Sequence, residues 1–250
     1  MAAKDQVMKG AEEFYFAGNE IGVLVIHGFT GTTQSVRFFG EQLAKEGFTV
    51  YGPRLKGHGT DPEDMEASTY QDWIHTVETG LARLREQCTN IFVTGLSMGG
   101  TLALYLAEQY PDLDGVMPVN AAVNIPEMAE NYRNLSQTDT RFVRGIGSDI
   151  KKPGVNELAY PKTPVKAIGE IVSLTEITRK NLAEIAMPVL ILSSAEDHVV
   201  SPDNSQMIYE AISSREKSMI VLENSYHVVT LDNDKEIVAD NAIQFIKAKC

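Results

Sequence analysis

Cysteine is scarce in this chain: Cys88 and Cys250 are the only two in 250 residues. So wide a pair makes neither a metal-ligand spacing nor a disulfide framework, and it suits a reducing compartment. Concentrated positive charge is missing too. The formal net charge is -12 with no lysine or arginine cluster, so the electrostatic footprint of phosphate-backbone binding is absent and nucleic acid is excluded as a partner. No stretch approaches the roughly 20 apolar residues that cross a bilayer, so no transmembrane segment is expected. The opening "MAAKDQVMKGAEEFYFAG" shows no basic start followed by the apolar core of a secretory signal. A soluble, cytoplasmic protein is expected. Internal repeats and low-complexity tracts are absent as well.

What the chain does contain is an alternation of apolar runs and amphipathic stretches. "IGVLVIHG" (Ile21 to Gly28) is a short β-rich run ended by glycine, and "TTQSVRFFGEQLAKEG" follows as a helix. "FTVYGPRL" is the next strand, and the helix after it places Trp73, Ile74, Val77, Leu81 and Leu84 on one face. "IFVTGLSMGGTLALYL" (Ile91 to Leu106) changes from strand to helix in its middle. "LDGVMPVNAA" reads as a further strand, although Pro118 counts against a central position because a central strand needs every backbone donor. "MPVLILSSAEDHVV", "SPDNSQMIYEAISSREK", "SMIVLENSYH" and "KEIVADNAIQFIKAK" then give strand, helix, strand, helix. Such a rhythm predicts a mostly parallel sheet with helices on both faces. Between about 124 and 186 the rhythm breaks into prolines, glycines and short helical patches, predicting an insertion between two strands.

At the corner of the central stretch, "GLSMG" (Gly95 to Gly99) fits G-x-S-x-G where strand turns into helix. That context makes Ser97 a candidate nucleophile, since a sharp turn needs small neighbours and the helix start favours negative charge. A serine hydroxyl needs a base and a group to orient it. Of the five histidines, His227 follows the last strand and precedes the last helix, where this topology returns a base to the sheet's edge. His75 lies inside a helix, His58 in a glycine-flanked loop reads as structural, and His27 ends a strand where it suits shaping the site. His198 is expected to point away from its neighbouring acid. For the orienting acid "SSAEDHVVSPDN" offers Glu196, Asp197 and Asp203. Asp197 comes first after the strand's polar end, leaving Asp203 to cap the next helix; Asp232 is the alternative. The order Ser97, Asp197, His227 is that of one known triad topology. The backbone N–H groups of Met98 and of Phe29, in "HGFTG", are the expected oxyanion donors.

Taken together, "HGFTG", "GPRLKGHGT", "GLSMGG", "EDHVV" and "NSYHVVTLD" resemble the α/β-hydrolase superfamily, specifically bacterial monoacylglycerol lipases and related carboxylesterases. The resemblance implies one α/β-hydrolase domain over 1–250 with a small cap at about 124–186. It also implies a small-molecule acyl ester as substrate, cleaved with neither metal nor organic cofactor. Within "GIGSDIKKPGVNELAY" (Gly145 to Tyr160) it implies that Glu157 accepts hydrogen bonds from glycerol hydroxyls and that Ile146 lines an apolar passage; a solvated carboxylate and simple cap packing are the plainer readings. Phe29 in place of a glycine-rich oxyanion loop implies a ring crowding the acyl side. A broad carboxylesterase or a thioesterase fits the same residues. A non-catalytic receptor on this fold would have no reason to keep serine, acid, base and oxyanion turn together, and a dinucleotide enzyme fails because no G-x-G-x-x-G follows the first strand.

Overall fold

A computed structural model describes residues 6–250 of the chain; the first five residues of the stretch read for an export signal lie outside it. β1 (Phe14–Phe16), β2 (Ile21–Ile26), β3 (Thr49–Gly52), β4 (Asn90–Leu96), β5 (Gly115–Val119), β8 (Val189–Ser194) and β9 (Lys217–Leu222) form one sheet in the order β1-β3-β2-β4-β5-β8-β9. All neighbours run parallel except β1, which pairs antiparallel with β3 at the edge. The alternating pattern leaves β1 out, because three residues are too short for a period to show.

Burial on both faces explains the continuous apolar runs. In β2, Leu24 and Ile26 pack in one core while Val23 and Val25 pack in the other. The first core lies under α3 (Tyr70–Arg85) and α4 (Met98–Gln109), and the second under α1 (Gln34–Lys45) and α8 (Lys235–Lys247). α3 buries Trp73, Ile74, Val77, Leu81 and Leu84, as its spacing predicts. A capping box starts it: Thr69 accepts from Asp72 N, and Asp72 accepts from Thr69 N at 2.9 Å.

Pro118 does sit in a central strand. β5 pairs with β4 through Gly95↔Pro118, while its pairs to β8 are Val116↔Val189 and Val119↔Leu192. The second ladder therefore passes over the proline, and the missing donor is accommodated there. α7 (Asp203–Ala211) also departs from expectation: Asp203 is in its first turn, and Ser201 Oγ accepts from Asp203 N at 3.3 Å.

Between β5 and β8 the chain forms α5 (Pro126–Leu135), an antiparallel pair of β6 (Phe142–Arg144) and β7 (Lys162–Pro164), and α6 (Val165–Asn181). α6 runs for 17 residues, within "VKAIGEIVSLTEITRKNLAEI", the longest helical stretch that the sequence shows in the insertion. It packs against α4 and buries Ile168, Ile171 and Leu174. α2 (Pro62–Ala67) and a 3-10 turn at Leu182–Glu184 complete the elements of the described residues. Among the described residues no helix is long and apolar enough to cross a membrane.

Candidate active site

The carboxyl ends of β2, β4, β8 and β9 converge on one edge of the sheet, the edge where doubly wound sheets place ligands. Ser97 stands between β4 and α4 at φ 57 and ψ -120, a conformation that side chains rarely adopt. The flanking glycines are required by contact. A Cβ at Gly99 would collide with the Ile26 carbonyl, and one at Gly95 with the Gly99 backbone. The turn is held by Ser97 N donating to Val119 O at 2.9 Å and Thr101 N donating to Ser97 O at 3.1 Å.

Across the same pocket lies His227. Its Nδ1 is 2.7 Å from Asp197 Oδ2, and the two side chains are only 7% and 2% exposed. The other Asp197 oxygen accepts from Val199 N at 2.9 Å and Val200 N at 2.8 Å. A carboxylate that only accepts requires the proton on Nδ1, which leaves Nε2 with the lone pair a general base uses. Asp232 is nowhere in this contact. Its carboxylate accepts four backbone N–H groups, from Lys151, Lys152, Tyr226 and Asn233, at 2.7 to 2.9 Å.

Phe29 follows β2 and lines the pocket, and Met98 is the first residue of α4. The Phe29 ring is turned inward against Trp73 (centroids 6.0 Å) and His58 (6.4 Å) and is 7% exposed. It is therefore held by the core as well as facing the pocket, which weakens the expectation that it crowds an acyl group. His27 settles how the turn is oriented. Its Nε2 accepts from Leu55 N at 3.2 Å, so Nδ1 carries the proton and donates to Gly28 O at 2.9 Å. Burial holds its pKa down to about 4, keeping the ring neutral. Because Gly28 C=O and Phe29 N–H belong to one trans peptide plane, fixing the carbonyl fixes the opposite direction of the N–H. His27→Leu is expected to lower kcat roughly 10- to 100-fold with little change in KM, and His27→Asn, whose amide stands near the Nδ1 position, to recover part of it. A kcat for the leucine variant within twofold of wild type would show that the turn holds its orientation unaided.

Ile146, Met128, Ile125 and Glu157 line the pocket from the segment between β5 and β8. Ile146 is 42% exposed at its mouth. Glu157 packs against the turn after Phe29, where a Cβ at Gly31 would collide with its Oε1. Burial pushes its carboxyl up to about 7, offset by the nearby His227 ring and the Ser35 hydroxyl. Among the described residues no group of three or more His, Cys, Asp or Glu side chains gathers as a metal-binding cluster.

A family profile described as "Serine aminopeptidase, S33" (Hydrolase_4) matches residues 19–234. The chain belongs to the serine aminopeptidase S33 family. It is 49% identical over 98% of its length, and 98% of the relative's, to the thermostable monoacylglycerol lipase of Bacillus sp. (strain H-257). The carboxylesterase of Bacillus subtilis (strain 168) is 28% identical, covering 94% of this chain and 95% of that one. Among solved structures, one described under "LipS and LipT, two metagenome-derived lipolytic enzymes" superposes with a TM-score of 0.94 at 48% identity, covering 97% of this chain and all (100%) of that one. The monoacylglycerol lipase of Paleococcus ferrophilus, at 18% identity and a TM-score of 0.80 over 95% of this chain and 98% of that one, shares the fold. The architecture is that of an α/β-hydrolase, and the S33-family chain is a hydrolase.

Other histidines of this S33-family chain take structural positions. His75 is exposed on α3. His58 is buried against His27 and Trp73, with Nδ1 3.1 Å from Lys56 O, and burial holds its pKa well below the usual value. His198 turns away from Asp197, whose carboxylate goes to His227, Val199 and Val200; its Nδ1 is 2.8 Å from Asp149 Oδ1, a bond that raises its pKa, and its ring packs on Tyr226. Asp149 and Asn120 both touch the His227 loop, and neither stands out in the sequence. Their only local signals are an aspartate inside the insertion and an asparagine just past a strand.

Proposed function

We propose that this chain hydrolyses monoacylglycerols to glycerol and a free fatty acid through an acyl-enzyme. The observation that carries the reading is the Glu157 carboxyl, which shares the pocket of Ser97 and His227 and offers acceptors for a polyhydroxy alcohol beside a mostly apolar lining. The relative named a monoacylglycerol lipase supports the same substrate class.

In this mechanism Ser97 is the nucleophile, His227 the base and Asp197 the group that fixes the imidazole. His227 Nε2 takes the Ser97 proton as Oγ attacks the ester carbonyl. The Phe29 and Met98 N–H groups receive the developing oxyanion, the donors of α4's first turn adding their dipoles. The imidazolium gives its proton to the glycerol oxygen, glycerol leaves, and water repeats the two steps to release the fatty acid. Every proton is carried by His227, so the cycle closes on these side chains alone. The segment 124–186 serves as the cap, with Ile146 at the mouth of the acyl passage. The free Cys88 and Cys250 support a reducing, cytoplasmic setting.

The deciding experiment holds the acyl group constant and changes the alcohol. kcat/KM for 1-lauroylglycerol should exceed that for ethyl laurate, with Ser97→Ala as blank, and Glu157→Ala should erase the difference. Because the Glu157 carboxyl titrates near 7, and a carboxylate accepts from two hydroxyls where the protonated acid accepts less well, the preference should grow as pH rises through that value. Equal rates for the two esters at every pH would make the chain a broad carboxylesterase and leave Glu157 without a role in recognition.

A further inference from the structure

The backbone of His227 is gripped on both sides by side chains outside the proposed triad. Its N–H donates to Asp149 Oδ2 at 3.1 Å, and its C=O accepts from Asn120 Nδ2 at 2.8 Å. Each of those residues also holds the segment that bears Asp197. Asp149 Oδ2 accepts from His198 N at 3.1 Å, immediately after Asp197, and its Oδ1 meets the His198 ring at 2.8 Å. Asn120 accepts from Ser194 N at 2.8 Å and donates to Ser194 Oγ at 3.0 Å, at the end of the strand leading to Asp197.

The amide of Asn120 has one orientation that satisfies these partners. Ser194 N requires an acceptor, so the oxygen faces it, and the NH2 group is left for His227 O. The residue is 4% exposed and holds φ 44, a conformation asparagine tolerates better than most side chains. Its peptide plane reaches further. Val119 O accepts from Ser97 N at 2.9 Å, while Asn120 N donates to Leu192 O at 2.9 Å. One residue thus connects the chain segments of nucleophile, acid and base from below, and Asp149 connects acid and base from the insertion above.

We propose that Asn120 and Asp149 are positioning residues that clamp the His227 main chain and set its register against Asp197, an inference that rests on the acyl-transfer reading. Neither touches the reacting atoms. Their effect is geometric: a shift of the His227 backbone carries Nε2 with it, and displacement on the order of 1 Å costs about a hundredfold in rate.

The test uses the full-length protein with 1-lauroylglycerol, reading kcat, KM and Tm, together with the rate at which a fluorophosphonate labels Ser97. Asp149→Ala removes the side-chain acceptor of both backbone N–H groups, those of His227 and His198, and is expected to lower kcat and labelling rate 10- to 100-fold with KM within twofold. Asp149→Asn can keep an oxygen at the Oδ2 position for both N–H groups, so it should rescue most of that loss. Asn120→Asp keeps the shape and the acceptor but has no donor for His227 O, and its kcat should fall at least tenfold. Rescue by asparagine and the kcat–KM split separate positioning from general support, which would lower Tm alike in both Asp149 variants. Should Asn120→Asp fail to fold, the Asp149 pair decides the matter. An active wild type with an inert Ser97→Ala, but with Asp149→Ala at wild-type kcat or both Asp149 variants equally slow, overturns the clamp alone. An inactive wild type, or turnover surviving in Ser97→Ala, overturns the acyl-transfer reading and the clamp with it.

Discussion

Ser97→Ala is expected to lower ester turnover by roughly six orders of magnitude while the protein remains folded. The alanine keeps the turn's backbone bonds, since the contacts at Ser97 N and Ser97 O are main-chain, and what disappears is the atom proposed to form the acyl-enzyme. Pre-steady-state mixing with a chromogenic laurate ester should give a burst stoichiometric with wild-type enzyme and none with the variant. The strained φ 57 and ψ -120 adds a second arm. Side chains in such regions store about 1–3 kcal/mol, which offsets the entropic cost of glycine, about 0.5–1 kcal/mol. Ser97→Gly should therefore be inactive yet at least as stable as Ser97→Ala in urea unfolding. A glycine variant clearly less stable than the alanine one would mean that the turn carries no strain. Residual turnover in either variant that scales with purified protein would remove Ser97 from the chemistry.

That turn was legible in the sequence because its requirements are local. A strand, a serine hemmed by glycines and a helix occupy consecutive positions, and the steric need for Gly95 and Gly99 is written in the same pentapeptide. Asp197 and His227 were legible for a related reason, each lying just past a strand whose apolar run is unmistakable. What escaped depends on neighbours distant along the chain. Pro118 counts against a central strand until the β8 ladder is seen to pass over it. The inward turn of the Phe29 ring requires Trp73 to lie beneath it. Asn120 and Asp149 earn their positions through bonds across sequence separations of 107 and 78 residues, which no local pattern registers.

The carboxylates Asp197 and Asp232 differ in partners, and replacing each by asparagine should separate their roles. In Asp197→Asn the amide oxygen is claimed by Val199 N and Val200 N, which now receive the Oδ1 position. Its NH2 must then face His227 Nδ1, which can only accept. The imidazole proton is forced onto Nε2, the wrong tautomer for taking a proton from serine. kcat should fall about 10⁴-fold, with KM and Tm nearly unchanged. Asp232→Asn meets a different set of contacts. Four N–H donors converge on its two oxygens, so an NH2 in place of one oxygen opposes donors with donors and leaves at least one buried N–H unpaired. Hydrogen bonds to a charged group are worth about 1.5–3 kcal/mol, and the loss should appear as a lower Tm and a lower urea midpoint, with a modest change in kcat per folded molecule. The two variants thus trade signatures, one catalytic with an intact fold and the other structural with surviving catalysis. If Asp232→Asn proved the slower enzyme at full folded occupancy while Asp197→Asn kept its rate, the imidazole would take its orientation from Asp232 in solution and the pairing at 2.7 Å would have to be abandoned.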